Sequence, residues 1–275
     1  QLASDEFYSF NIDAQNLTRV KRWDIGALTL EVKKVFYAVG SSTSDIKVAS
    51  GPLSYTITKF IGTRTEEDYS VIEFNTDQSH LGMGVGNEVV APGIVNGCLI
   101  KEKITLSSWI VTDYNGDPIS STTQTGNVTR IQRPYNSISD ALLSVWYNLT
   151  SQKDLVSQKL QLNIACYNDY ASDPGLANAS YISSNGDYFL RIYTPVNSDT
   201  EVNVSQRHDG KYPVLALSTY SGFRTESLDS YGIKLLYTDY AEIEGLSIKS
   251  PTGFDAHGVW VLNSKSFSII GNIIK

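Results

Sequence analysis

The chain has 275 residues and a mass of 30.3 kDa, enough for two domains of ordinary size, each burying its own core. Hydrophobic residues make up 41%, charged residues only 19%, and tyrosine supplies 17 positions, which excludes a disordered or coiled-coil chain. The formal charge is −7, with 22 Lys and Arg scattered without a run, so neither a nucleic acid held through its phosphates nor an anionic membrane surface is an expected partner. No apolar stretch approaches the roughly 20 residues of a spanning helix. The longest, residues 141–149, is interrupted by Ser144 and Asn148, and no membrane insertion is expected.

The chain opens on Gln1 and holds a single methionine, Met83, as a product of processing would, and removal of a secretory signal is the simplest account. Asn-x-Ser/Thr sequons at Asn16, Asn127, Asn148, Asn178 and Asn203 give modest support to an extracellular, cell-surface or virion-surface location, since composition alone would supply about three. Cys98 and Cys166 could form one disulfide in an oxidising compartment. Each sits in an apolar, strand-like context far from the other, so two separate buried thiols are expected.

Along the first 125 residues the pattern has period two. Tyr8, Phe10 and Ile12 alternate with polar residues, then Leu28, Leu30 and Val32, then Leu53, Tyr55 and Ile57, as in half-buried strands. Residues 71–74, 99–106 and 109–112 continue the series, separated by Gly, Ser, Asn and Pro clusters at the spacing of a β-sandwich. Gly82-Met-Gly-Val-Gly86 has the look of a phosphate loop, but no strand leads into it and no helix leaves it, so a flexible connection is expected. Asn115-Gly116 stands between strand-like flanks as a type I′ hairpin turn requires. The stretch Val111-Thr-Asp-Tyr-Asn-Gly-Asp-Pro-Ile119 resembles the strand-turn-strand of immunoglobulin-like modules on microbial surface proteins. Asp113, Asn115 and Asp117 alternate as in a calcium loop. Gly116 comes two residues before the place such a loop needs it, and no Glu follows at the required spacing, so no metal is expected.

Near residue 130 the character changes. Ser137 is positioned to cap a helix over residues 137–149, with Ile138, Leu142, Val145, Trp146 and Leu149 on one stripe. Strand-like segments follow at residues 160–164, 188–193, 202–204 and 214–217. The last 44 residues repeat at a constant offset of 26. Residues 232–249 laid on 258–275 give identities at Gly232/Gly258, Leu236/Leu262, Ile243/Ile269, Gly245/Gly271, Ile248/Ile274 and Lys249/Lys275. Short strands broken by Gly and Asn at such a period suit the stacked coils of a solenoid, in which inward apolar residues bury against the next coil. On that register Ile269 points inward, as Ile243 does.

The segments Ile243-Glu-Gly-Leu-Ser-Ile248 and His257-Gly-Val-Trp-Val-Leu-Asn-Ser-Lys-Ser-Phe-Ser-Ile-Ile-Gly-Asn-Ile-Ile274 resemble the right-handed parallel β-helix of pectate-lyase-like proteins and phage tailspikes. The resemblance covers residues 131–275 at most; the alternating strands before it predict a β-sandwich assembly or attachment domain over residues 1–130, and the chain as a whole is expected to be all-β. The first coils of a parallel β-helix would occupy residues 131–275, capped by the helix at 137–149. Many strands, no assembled catalytic set and the sequons together favour a structural or adhesive role in a spike, fibre or filament, with other copies of the chain or a neighbouring subunit as partner and cell-surface polysaccharide as a further one.

A polysaccharide-cleaving solenoid would need two carboxylates about 5–9.5 Å apart, or a base with a cation beside it. Asp239 on one coil, and Asp255 with His257 on the turn entering the next, are the candidates, with Tyr237 and Trp260 as faces for a sugar. Ordinary turn residues and a packed Trp260 are the favoured account of these positions. Two coils supply too few side chains for a cleft, so a depolymerase would carry its catalytic coils beyond residue 275. A glycan-binding module is a third reading. The three histidines, His80, His208 and His257, are remote from one another and from the cysteines, which leaves no zinc site. No cofactor is expected.

Overall fold

The computed structural model describes residues 32–40, 44–62, 68–94, 97–119, 123–148, 153–169, 173, 176–210, 224–226, 231–249 and 257–275, without the side chains at 147, 148 and 224–226. The strands expected at residues 8–12, 28–31 and 214–217 lie outside the described residues. Within the unit Lys33–Lys275 the described residues form an all-β protein with one helix, and their strands make one antiparallel and three parallel sheets.

Strands β1 (Lys33–Val39), β2 (Ser54–Phe60), β3 (Tyr69–Phe74), β4 (Glu88–Val90), β5 (Cys98–Lys103), β6 (Ser108–Thr112), β7 (Thr123–Asn127) and β8 (Arg130–Gln132) occupy the first half. All but β1 pair in a single seven-stranded antiparallel sheet of order β7-β2-β3-β6-β5-β4-β8. The alternation that marks these strands supplies its core: Tyr55 and Ile57, Ile72 and Phe74, Val89, Ile100, Trp109, Val111 and Ile131 meet in one buried cluster.

Three local expectations are corrected. The turn at Asn115-Gly116 is not type I′, because only Gly116, at φ 80°, is left-handed, whereas type I′ needs both central residues so. Asp113 organises the turn instead, its Oδ1 accepting the amide N–H groups of Asn115 (2.8 Å) and Asp117 (2.9 Å). The segment at residues 202–204 forms no strand beyond the single bridge from Val202 to Gly84. Residues 82–86 are a packed seam and not a flexible connection, for Met83 is fully buried in the sheet core. A Cβ on Gly84 would stand 2.5 Å from the Glu201 carbonyl oxygen and 2.6 Å from the Tyr167 hydroxyl.

The helix α1 (Ile138–Asn148) begins where the capping residue predicts, with Ser137 Oγ accepting the Asp140 N–H at 3.0 Å. Its stripe of Ile138, Leu142, Val145 and Trp146 is buried against β1 and the later strands β9 (Leu160–Cys166) and β10 (Ala177–Asn178). After these come β11 (Leu190–Tyr193), β12 (Arg224–Glu226), β13 (Tyr231–Leu236), β14 (Ala241–Glu244), β15 (Ser247–Lys249), β16 (His257–Leu262), β17 (Phe267–Ile270) and β18 (Ile273–Ile274).

These strands build three parallel sheets, ordered β1-β9-β11-β14-β17, β10-β13-β16 and β12-β15-β18. The first includes β1, so a strand from before residue 130 runs in the parallel array. Two apolar rows cross that sheet: Val35, Leu162, Leu190, Ala241 and Phe267 in register, and Tyr37, Ile164, Ile192, Ile243 and Ile269. The offset of 26 is the register of the last two three-strand units, pairing Leu236 with Leu262, Ile243 with Ile269 and Ile248 with Ile274.

The antiparallel sheet and the parallel array are joined by buried polar contacts. The Arg133 guanidinium, almost fully buried, donates to the Gly82 carbonyl at 2.8 Å and to both oxygens of Asp169 at 3.0 and 3.3 Å. It lies 3.9 Å over the Tyr167 ring, whose hydroxyl donates to the Val85 carbonyl at 2.7 Å. Residues 194–210 leave the array after β11 and touch the antiparallel sheet, where Val85 N–H donates to Glu201 and Lys103 N–H to Thr200.

Candidate functional site

Two surfaces of the parallel array stand out. The first is aromatic and lies on β13 and β16. Tyr231 stacks on Trp260 with ring centroids 4.2 Å apart and on His257 at 5.6 Å. Lys234 holds its Nζ 4.9 Å from the Trp260 ring and 5.7 Å from that of Tyr231. Register explains the cluster: His257 is the cross-strand partner of Tyr231, and Trp260 of Lys234. Tyr231 and Trp260 are half-buried and His257 is exposed, and aromatic rings beside an ammonium can take the C–H face of a sugar, or a planar group, with a nearby negative charge.

Trp260 and His257 are thus brought together, and Tyr237 is not with them. Tyr237 stacks instead on Tyr181, centroids 5.2 Å apart, and both are half or more exposed with left-handed backbones. Asp239 lies in the turn after β13, half-buried. His257 pairs with the first residue of β13 and Asp239 lies beyond its last, so five strand steps alone put about 16 Å between them. That span is too long for the two to act as an acid–base pair on one bond. Asp255 lies outside the described residues. Tyr231 and Lys234 were legible in principle, since each precedes an already singled-out residue by 26. Tyr181 was not, because 56 residues separate it from its stacking partner.

The second surface is the end of the array. Strands β16, β17 and β18 are terminal in their sheets. Positions buried in the preceding unit are open here: Leu236 is 9% exposed and Leu262 43%, Ala241 4% and Phe267 44%, Ile243 1% and Ile269 40%, Ile248 0% and Ile274 51%. Ile269 therefore keeps its expected register but not its expected burial, since nothing among the described residues stacks beyond it.

Polar groups bind that last unit to the one before. Asn272 accepts the Leu246 N–H on Oδ1 and donates from Nδ2 to the Ile243 carbonyl, both at 2.8 Å. The Thr238 N–H donates to Ser264 Oγ at 3.0 Å. On the outer face Arg191 and Arg207 converge on the Glu244 carboxylate, with Glu242 3.5 Å from Arg191. Burial alone would raise the Glu244 pKa, but hydrogen bonds from the two guanidiniums outweigh it and hold the carboxyl below its usual range.

The remaining candidates have structural surroundings. Cys98 and Cys166 are both free and buried. Burial, with Glu88 nearby, pushes the Cys98 thiol up to about 12, and burial with Asp173 raises Cys166 as well. Asp117 pairs with Lys33 at 2.6 Å. Among the described residues no group of three or more His, Cys, Asp or Glu could hold a metal ion. His80 accepts the Gly82 N–H on Nδ1, and burial together with the Arg133 charge lowers its pKa against the pull of Asp169.

Of the sequons, Asn127 and Asn178 are exposed at the ends of β7 and β10. Asn203 commits its Nδ2 to the carbonyls of Gln78 (2.6 Å) and His80 (2.9 Å), so a glycan on that nitrogen would cost one of these bonds. Asn16 and the Asn148 side chain lie outside the described residues.

These features define an all-β protein with an antiparallel sheet joined to a parallel strand array, and among the described residues no helix is long and apolar enough to cross a membrane. Comparison with protein-family models, with curated proteins and with solved structures finds no match to any of them.

Proposed function

We propose that the chain is a structural or adhesive component of an extracellular surface structure or virion, in which an antiparallel base leads into the first coils of a right-handed parallel β-helix. The observation that carries this reading is the stacking of the last units, in which β13, β14 and β15 pair parallel and in register with β16, β17 and β18 at a constant offset of 26. A stack of this kind buries each unit against the next and extends in one direction, as a spike or fibre does.

The experiment is immunogold labelling of intact particles and cells from the source with antibody to this chain. Decoration of an external filament, spike or surface layer is expected, and label confined to the cell interior would overturn the reading. Purified chain incubated with acidic and neutral polysaccharides is expected to release neither reducing ends nor unsaturated products. Turnover abolished by Asp239→Ala would replace the structural reading by the depolymerase one.

A glycan-binding role is the second reading, favoured by the Tyr231–Trp260 stack with Lys234 beside it. It predicts retention on an acidic polysaccharide that Trp260→Ala abolishes. Binding unchanged in that variant would remove the assignment.

A further inference from the structure

We propose that His80 is a proton-sensitive latch: neutral, it holds the seam between residues 78–87 of the antiparallel half and the 194–210 excursion of the array, and protonated it releases that seam. The reason begins with the tautomer. The Gly82 N–H donates to His80 Nδ1 at 3.0 Å, so the ring carries its one proton on Nε2, and a second proton has to enter at Nδ1 and break that bond. His80 is exposed, and a proton reaches it from solvent with no prior opening.

The surroundings disfavour the added charge. A Cβ on Gly82 would stand 2.6 Å from Arg133 Nη2 and 3.4 Å from His80 Nδ1, so guanidinium and imidazole crowd the same side of one glycine. Arg133 is almost fully buried, where a like charge is poorly screened. Asp169, paired with Arg133, pulls the other way, but burial and the Arg133 charge outweigh it and hold the ring below the ordinary histidine range. The folded pKa thus lies under the unfolded value near 6.5, and the stability that the neutral ring contributes is present above that pH and falls as pH drops through it. Other polar groups at the seam are already committed. The Glu201 carboxylate takes the Val196 and Asn197 amides, Lys103 Nζ donates to the Ser198 carbonyl, and burial keeps the Tyr167 hydroxyl protonated on the Val85 carbonyl.

What the latch holds is the course of residues 80–85. The His80 carbonyl accepts the Met83 N–H at 3.0 Å and Asn203 Nδ2 at 2.9 Å. The Leu81 carbonyl accepts Gln206 Nε2 at 3.2 Å, the Met83 carbonyl accepts the Asn203 N–H at 3.1 Å, and the Val85 N–H donates to the Glu201 carbonyl at 2.8 Å. All of these leave from the turn that the ring closes on Gly82, so opening that turn loosens them together. The same excursion carries Arg207 to Glu244 and His208 to the Gly271 carbonyl, which tie its far end to the outer units. His208 repeats the ring-to-glycine bond, its Nδ1 accepting the Gly210 N–H at 3.2 Å, and so provides an internal control.

Amide hydrogen exchange of the full chain tests this, with protection referenced to the intrinsic rate at each pH between about pH 8 and pH 5, the window in which histidine changes charge. Protection at residues 82–85 and 201–203 should fall severalfold with acid while that of β3 and β6 holds. His80→Asn keeps a side-chain acceptor for the N–H two residues on and cannot take the proton, so its seam should stay protected across the window. His80→Ala removes the acceptor and should be loose at both ends of it. His208→Asn should leave the wild-type response in place. Seam protection that does not move with pH in the wild type, that falls as steeply in His80→Asn, or that survives at pH 8 in His80→Ala would overturn the proposal, and so would a response lost in His208→Asn.

Discussion

Residues 231–249 and 257–275 are two versions of one unit, equal in strand order and register, and they differ in what lies on their far side. In the first, every inward apolar position is covered from both sides. In the second, the same positions are covered from one side only, and their exposure rises to 40–51%. Burial here is a property of the stack and not of the residue. An isoleucine contributes the roughly 25 cal/mol per Å² of apolar burial only when a neighbouring unit supplies the contact.

The sharpest way to break this comparison is to place a carboxylate at equivalent positions. Ile243→Asp should cost about 4 kcal/mol or more, because it puts an unpaired charge in a fully covered site. Ile269→Asp should cost about 1 kcal/mol or less, because its carboxylate reaches water. Thermal unfolding of the two variants checks this, and equal losses would show that the two positions are equally covered.

A second contrast uses Gly245 and Gly271, which occupy the same left-handed turn at φ 75° and 59°. Alanine at either should cost roughly 1–2 kcal/mol for the backbone alone. At 245 the new Cβ would also stand 2.6 Å from Arg207 Nε, whereas at 271 it meets nothing within 4 Å. Gly245→Ala is therefore expected to be clearly the more destabilising in denaturant titration.

Asn272→Ala sharpens the comparison at the joint between the units. It strips the Leu246 N–H and the Ile243 carbonyl of their side-chain partner, a loss of about 1–3 kcal/mol. Hydrogen exchange should report it first at residues 267–275, the outer unit loosening before the inner one. Uniform loosening of both would mean that the units unfold together.

The smallest expected effect depends on pH. The folded pKa of Glu244 lies below its unfolded value, near 4.3, so its pairing with Arg191 and Arg207 contributes fully above that pH. The contribution is lost as pH falls through the folded value. With these side chains partly open to water it amounts to less than about 1 kcal/mol. The melting temperature of wild type should exceed that of Glu244→Gln at pH 6, and the gap should close below pH 4. A gap that widens with acid would reverse the sign of the linkage.

Much of the local structure was legible along the chain. Ser137 followed by Ile138, Leu142, Val145 and Trp146 marks the helix, because a cap and an apolar stripe are local properties. Tyr55 and Ile57, or Val71 to Phe74, mark strands through the period of the backbone itself. The pairing of Ile243 with Ile269 was legible because adjacent units of a repeat share a constant offset, and the same rule reaches Tyr231 and Lys234. The site reasoning was weaker where turns intervene. Asp239 and His257 are 18 residues apart, but distance along the strand separates them in space. Tyr237 found its ring partner in Tyr181, across an interruption that breaks the repeat.

The sequence by itself determined the all-β class, the helix and the register of the last two units, since each follows from periodicity within or between short segments. Only the tertiary structure decided that β1 runs in the parallel array beside β9, that Arg133 is buried against Asp169 and Tyr167, and that residues 82–86 are a tight seam. It alone decided which of two matching isoleucines is covered. These outcomes depend on groups far apart in the chain, and a contact between such groups is set by how whole sheets stack and by what remains uncovered, which no local pattern encodes.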